Sequence, residues 1–454
     1  MSATAAAAAP VLAAFARRLQ FDDMPDVVLA CARNCVVDTV AAAVYGHGSP
    51  AGRIVAELYG TKGGGSSFIL GASKSVPGVG AESAALVNGT LAHALELDTL
   101  RQPGAGVHPG AVLVSAALAL AQEENRSGRD LLTAVVAGCE VMFRIGRATK
   151  HSAETRGFHA PGLTGPFGAA IACGSLIKLD AEQMTMALGI AGSLGGGLLE
   201  FAAAGEGGMV KRLHLGRAAQ AGVLAARLAQ RGFTGPSSVL EGAHGFLHAY
   251  CSEADVPALV SGLGAEWETL KICFKAYPSH ITAHTPVEAV RQLKAEHRFE
   301  AAEIAAVRVE GTPKMAALHG NRHPADPVAA QYSIPFCVAA ALVLDPDDPA
   351  TFTRSLANPV IGALCERIEV AGTGGFAFGW ATRTTVRLHD GRSFSAEVQT
   401  APGFPSQPFT PDRFRRKFSS LTRDLGEQSA SLFDRLQRLE EEQSLRWLSA
   451  SRTF

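Results

Sequence analysis

Between residues 26 and 230 the chain is written as helix after helix dominated by alanine and glycine, and this pattern restricts the fold more than any other feature. Small side chains let helix backbones approach closely, so a compact bundle with several fully buried helices is expected. Asp22, Asp23 and Pro25 open the first clear helix: acids near its positive end, then proline in the first turn. Val27, Val28, Cys31, Cys35, Val36 and Val40 recur at helical spacing, and Gly46 closes the run. The same periodicity predicts helices over 82–97, 110–124, 129–149, 165–177, 181–191 and 217–230.

Past Trp267 the period changes. Residues 304–311 alternate like a half-buried strand, and 383–398 hold two alternating runs around His389, Asp390 and Gly391, a hairpin signal. A helix over about 329–344 lies between them. The fold class is therefore mainly α: a large all-helical domain plus a smaller α+β lid domain. The expected boundaries are 1–269 for the helical domain, completed by C-terminal helices over 406–454, and 270–405 for the lid. The tail returns to helix at Pro411 with Phe414, Phe418 and Leu421. A charged amphipathic stretch over 432–448 is expected to pack on the helical domain or on a second subunit.

Composition excludes several classes. With 454 residues, 47% hydrophobic and 18% charged, the chain is not a disordered one. A net charge of -1 gives no basic field for nucleic acid, so any attraction for an anion is local. The alanine run at the N-terminus lacks a basic segment before it and makes a poor signal peptide. No apolar run reaches the ~20 residues of a membrane span. None of the eight cysteines forms a Cys-x-x-Cys pair, and Cys31 and Cys35, one helical turn apart, do not by themselves close a zinc site. Reduced thiols in a cytoplasmic protein, with no membrane partner, are the expectation.

Five clusters set titratable side chains beside turns. The first, 88–99, holds His93, Glu96 and Asp98. The second is His108-Pro109-Gly110, a histidine just outside a helix N-terminus, where unsatisfied N–H groups favour an anion. The third, 157–162, contains His159 before a new helix; it has no phosphate-loop lysine. The fourth runs through Lys211, Arg212, His214 and Arg217 after the glycine-rich Gly205–Gly208 turn, and is dense enough in cations for a carboxylate. The fifth holds Lys275, Tyr277 and His280, with His284 four residues on, and offers no third metal ligand of clear spacing. Their common theme is anion-binding groups with titratable histidines.

In these motifs, taken in order, the chain resembles the MmgE/PrpD family over nearly its whole length. They are Asn88-Gly89 with His93 and its acids, His108-Pro109-Gly110, Gly157-Phe158-His159, Lys211 with Gly216-Arg217-Ala218-Ala219, Tyr277-Pro278-Ser279-His280, Gln331-Tyr332-Ser333-Ile334-Pro335 and Arg416-Lys417-Phe418. Members include 2-methylcitrate dehydratases, cis-aconitate decarboxylases and iminodisuccinate epimerases. The resemblance implies a homodimer, a cleft between the two domains, a small polycarboxylate substrate, and no metal or organic cofactor. It carries His108, His159, Lys211 and His280 into that cleft.

Two departures stand out. The family's acidic segment, Asp-Phe-Asp-Asp-Thr, is here Glu96-Leu97-Asp98-Thr99-Leu100, and Phe336 stands where the decarboxylase branch is expected to place a tyrosine hydroxyl. Removing water, carbon dioxide or a proton from a citrate-like molecule builds negative charge beside an existing carboxylate. Lys211, with Arg212 or Arg217, is expected to stabilise that charge. His108 and His280 share the acid and base roles, Asp98 fixes a histidine tautomer, and His159, Glu96, Arg212 and Lys275 bind substrate. This reading ranks dehydration of a 2-methylcitrate-like substrate first and cis-aconitate decarboxylation second, because of Phe336. Epimerisation of an iminodisuccinate-like dicarboxylate and non-catalytic binding of a polycarboxylate follow.

Overall fold

The computed structural model describes residues 7–448 apart from 62, 74, 105, 204–207, 377 and 378. The first six residues of the N-terminal alanine run and residues 205–207 of the glycine-rich turn therefore lie outside the described residues. The molecule is mainly α, with a smaller α+β domain, and its buried apolar residues form two principal clusters.

The larger cluster is built by helices α1 (Asp26–Gly46), α2 (Ala81–Ala92), α3 (Gly128–Ala148), α4 (Ala160–Leu176) and α5 (Val210–Gln230) with their neighbours. Every residue of α4 except Ser175 is buried, as expected of a helix apolar on all sides. Glycines set the closest crossings. A Cβ at Gly216 of α5 would overlap the carbonyl oxygen of Leu86 and the hydroxyl of Thr90, both on α2; one at Gly89 of α2 would come within 2.8 Å of the Gly216 Cα. The two backbones are thus in contact, and the first turn of α5 lies beside the end of α2. Helix α1 is 21 residues long and is the one helix among the described residues long and apolar enough to cross a membrane, but 67% of its most apolar window is buried inside the protein.

The second cluster fills the α+β domain. Helices α6 (His284–His297) and α7 (Ile334–Val343) pack on a sheet of β1 (Ile304–Gly311), β2 (Ile368–Gly372), β3 (Thr382–Leu388) and β4 (Ser393–Val398). The strand order is β2-β1-β3-β4; β1 and β2 are parallel, and the other pairs are antiparallel. Inward residues alternate along β3, and the 389–391 turn closes the expected hairpin. Helix α8 (Pro411–Leu421) returns to the first cluster through Phe414, Phe418 and Leu421, and the charged stretch after it follows through Leu432, Phe433, Leu436, Leu439, Leu445 and Leu448.

Two predicted helices stop or break early, and those expected from 165 and 217 begin sooner, at Ala160 and Val210. The one expected over 82–97 stops at Ala92, where the chain turns and Glu96 takes a left-handed conformation, φ 58°. The one expected over 329–344 is broken at Ser333. Pro335 cannot donate to the preceding turn, and the Ser333 hydroxyl caps the new helix by accepting from the Phe336 N–H at 3.0 Å. Residues 110–114 form a π-helical turn that leads into the helix Ser115–Glu123.

Gly216→Ala is expected to destabilise the protein by ~1–3 kcal/mol or more, because its methyl group has only backbone to displace. Denaturant unfolding of the variant measures this; an unchanged midpoint would show that the α2–α5 contact yields freely.

Candidate functional site

The site grows from the turn that ends α2. His93, Glu96 and Asp98 are all buried, at 0%, 1% and 0% exposure. Glu96 is in contact with Lys211 Nζ, accepts from Arg212 at 2.6 Å and accepts from Lys275 Nζ at 2.8 Å. Lys211 and Arg212 come from the first turn of α5, and Lys275 from the segment following strand Ile272–Cys273. A non-glycine residue at positive φ costs of order 1 kcal/mol, and the three cations converging on its carboxylate hold Glu96 there. Burial, then the neighbouring charges of Arg212 and Lys275, press the Lys211 pKa well below the usual lysine range. Burial likewise pulls Lys275 down to about 8. One carboxylate facing three crowded cations leaves positive charge that an incoming carboxylate would neutralise.

Asp98 serves two imidazoles. Its Oδ1 lies 2.9 Å from His93 Nδ1 and its Oδ2 lies 2.8 Å from His108 Nδ1. Burial alone would raise the Asp98 pKa, but the two histidines hold it well below the usual carboxylate range. An ionised carboxylate only accepts, so both rings carry a proton on Nδ1. Burial keeps His93 neutral, and its Nε2 has no hydrogen-bond partner among the described residues. His93 is thus set in the base form, with its lone pair on Nε2.

His280 is set the other way. It caps the turn Ile281–Ala283, and its Nδ1 faces the Thr282 hydroxyl at 2.9 Å and the Thr282 N–H at 3.5 Å. The N–H can only donate, which favours a lone pair on Nδ1 and a proton on Nε2. Burial, His319 and the nearby lysines lower its pKa, so His280 is a neutral imidazole and not an imidazolium. Its ring stacks on His319 and Tyr332, each with centroids 4.7 Å away, and the Tyr332 ring also lies 5.0 Å from Lys211 Nζ. Burial raises the Tyr332 pKa, which keeps its hydroxyl protonated.

Gln331 ties this group to the α2 turn. It accepts from Arg212 at 2.6 Å and donates to the Leu95 carbonyl at 2.9 Å, while its own carbonyl accepts the His280 N–H at 2.8 Å. His159, just outside α4, places Nδ1 3.0 Å from Nδ1 of His214, and its ring centroid lies 6.4 Å from that of His93. Burial and the surrounding histidines lower its pKa, so the pair shares a single proton.

The structure brings together Glu96, Asp98, His108, Lys211, Arg212, Lys275 and His280, with His159 reaching the same histidine group through His93. Arg217 does not join them: it is exposed and bonds Gln220. His284 is buried beside Tyr277 and Ser279. Phe336 is buried in the apolar cluster of the α+β domain, four residues beyond the tyrosine that lies at the site. Sequence reasoning missed His93 as a partner of Asp98, and also Tyr332, Gln331 and His319. Tyr332 and Gln331 stand in the Gln-Tyr-Ser-Ile-Pro motif, which was the available signal; His319 had none.

His93, Asp98 and His108 have ligand atoms within 4.8 Å of one another and, by type, are metal ligands. Their spacings of 2.8 and 2.9 Å are those of imidazole N–H groups donating to a carboxylate, with the protons directed where an ion would have to sit.

Residues 11–258 match the family model described as the MmgE/PrpD N-terminal domain, and residues 277–441 the MmgE/PrpD C-terminal domain. Among curated relatives, the cis-aconitate decarboxylase of Aspergillus terreus is 28% identical over 444 residues, which cover 91% of this chain and 89% of the relative. The cis-aconitate decarboxylase of Mus musculus is 28% identical over 390 residues, 79% of this chain and 76% of the relative. That of Homo sapiens is 28% identical over 355 residues, 74% and 71%.

Two outcomes are expected. Asp98→Asn puts an amide N–H against one of the two rings and forces a wrong tautomer, so turnover should fall about a hundred- to ten-thousandfold with the fold intact; near-normal rates would remove Asp98 from the chemistry. Because Lys275 is charged below about 8 and neutral above it, affinity for a polycarboxylate should fall as pH rises through 8. Calorimetric titration with citrate from pH 6.5 to 9.5 checks this, and Lys275→Arg, which keeps its charge, should flatten the profile.

Proposed function

The chain belongs to the MmgE/PrpD family, and we propose that within it this protein is a lyase that decarboxylates a cis-aconitate-like tricarboxylate. The observation that carries the reading is the position of Tyr332, stacked on His280 and facing Lys211. Decarboxylation ranked behind dehydration only because Phe336 has no hydroxyl. A protonated phenol beside His280 removes that objection, and the named relatives favour decarboxylation over dehydration.

The chemistry follows from the site. Loss of carbon dioxide leaves an electron pair on carbon, and the molecule survives only if that pair spreads into a neighbouring carboxylate. Lys211 stands where it can stabilise the resulting enediolate, and a buried ammonium is worth far more there than in water. Arg212 and Lys275, already on Glu96, draw a second carboxylate and orient the substrate. The carbon then needs a proton. His280, with its hydrogen on Nε2, and Tyr332, with its hydroxyl, are the donors; His93, neutral with its proton on Nδ1, is an acceptor and cannot supply it unless first protonated. The same acceptor and donor pair would serve a dehydratase, in which His93 takes a carbon-bound proton and His280 assists a leaving hydroxyl.

Two further proposals accompany this reading. The eight free thiols suit a reducing compartment such as the cytoplasm. The exposed Ile54 and Leu58, one turn apart on the helix Pro50–Gly60 at 58% and 61% exposure, suit a homodimer contact.

Incubation with cis-aconitate, 2-methylcitrate, citrate and iminodisuccinate in D2O, followed by proton NMR, tests the reading. Itaconate carrying one deuterium is expected from cis-aconitate, and Tyr332→Phe should slow its formation about a hundredfold. Loss of water from 2-methylcitrate with cis-aconitate untouched would overturn decarboxylation in favour of dehydration.

A further inference from the structure

Lys417 lies on the wrong face of its helix for a lysine. In α8 it shares the inward stripe of Phe414, Phe418 and Leu421, and its side chain is only 9% exposed. Its ammonium reaches two acceptors: the carboxylate of Asp38 in α1, at 2.5 Å, and the backbone carbonyl of Leu97, at 2.9 Å. Asp38 is 2% exposed, and its second oxygen has no partner among the described residues. Burial raises the Asp38 pKa and Lys417 opposes that rise, so the pair holds its charges mutually.

The second acceptor gives the pair a purpose beyond charge balance. Leu97 is the residue between Glu96 and Asp98. On one side of it is the carboxylate that gathers Lys211, Arg212 and Lys275; on the other is the carboxylate that sets the tautomers of His93 and His108. The turn is left-handed at Glu96 and is not part of a helix or a sheet, so its carbonyls have no ladder to hold them. Gln331 takes the Leu95 carbonyl, the Thr99 hydroxyl accepts the Gly110 N–H, and Lys417 takes the Leu97 carbonyl.

We propose that Lys417 is a positioning residue of the active site, clamping the Leu97 carbonyl so that Glu96 and Asp98 keep their separate directions, with Asp38 serving to hold the lysine in place. The rate consequence rests on the carboxy-lyase reading; the clamp itself does not. Because the clamp comes from α8, a late helix completes a turn more than three hundred residues earlier in sequence.

Removing Lys417 alone would strand a buried carboxylate and unfold the protein for a trivial reason. The informative variant is Asp38→Asn/Lys417→Met, which removes both charges and the clamp, compared with Asp38→Asn, which keeps the Lys417–Leu97 contact. The double variant should unfold near the wild-type midpoint, yet kcat on cis-aconitate should drop about ten- to a hundredfold, by more than KM rises. Asp38→Asn leaves Lys417 without its counter-charge and should lower the unfolding midpoint, but its amide oxygen still accepts from Lys417, so the Leu97 contact persists and kcat of the folded variant should fall less than about threefold. If the double variant does not fold, Asp38→Leu/Lys417→Met, an apolar pair, makes the same comparison.

A substrate-free readout runs beside it: the far-downfield proton resonances of the two Nδ1–H groups bonded to Asp98 should shift or broaden in the double variant only. Wild-type turnover with unmoved resonances in a folded double variant would overturn the proposal and leave Lys417 a charge partner for Asp38. Wild-type enzyme that leaves cis-aconitate untouched would sink the decarboxylase reading, while the resonances would still decide the clamp.

Discussion

The site depends on one buried carboxylate held by three cations. Glu96 gathers Lys211 and Arg212 from one helix and Lys275 from a segment far along the chain, and without it those cations would repel one another in a space that excludes water. Buried charges of one sign do not stay together unpaired; they lose protons or move apart. Glu96 is therefore the resident counter-charge that lets these three side chains stay buried together. Neutralisation by Glu96 is incomplete even with the ionised Asp98 nearby, and the crowding that lowers the lysine pKa values would be relieved by a carboxylate that enters.

Around that core the histidines divide by what stands behind them. A carboxylate behind His93 and His108 puts a proton on Nδ1 of each; a backbone N–H and a hydroxyl beside His280 favour its proton on Nε2. No difference in intrinsic chemistry separates the rings. The assignment of acid and base, left open by the sequence, is a matter of which hydrogen-bond partner faces Nδ1.

Much of the architecture was legible in the sequence because it is periodic. The strand over 304–311 and the helix over 181–191 match the expected bounds, and the hairpin was announced by Asp390-Gly391. The helix ends beside the site were not legible. The turn after Ala92 is set by distant partners, Arg212 and Lys275, about which periodicity says nothing, and the break at Ser333 by a local cap and Pro335, which the apolar run on either side masks. The site residues came from clusters of chemistry-bearing types and from the family motifs. What those could not show was pairing: that His93 and not solvent shares Asp98, that Arg217 turns outward while Arg212 turns in, or that Tyr332, four residues before Phe336, stacks on His280.

The contact between Gly89 and Gly216 has a consequence for how such a protein can change over time. Where two helices meet through side chains, each substitution alters their separation, and a site slung between them drifts with every repacking. Here the separation is set by main-chain atoms, whose radii no mutation can alter. The turn bearing Glu96 and the helix bearing Lys211 and Arg212 are held at a fixed gauge, so the surrounding core is free to diverge while the anion site keeps its dimensions. New substrate preferences would then arise from residues that line the site, such as Tyr332 and Gln331, without any movement of the cations that define it.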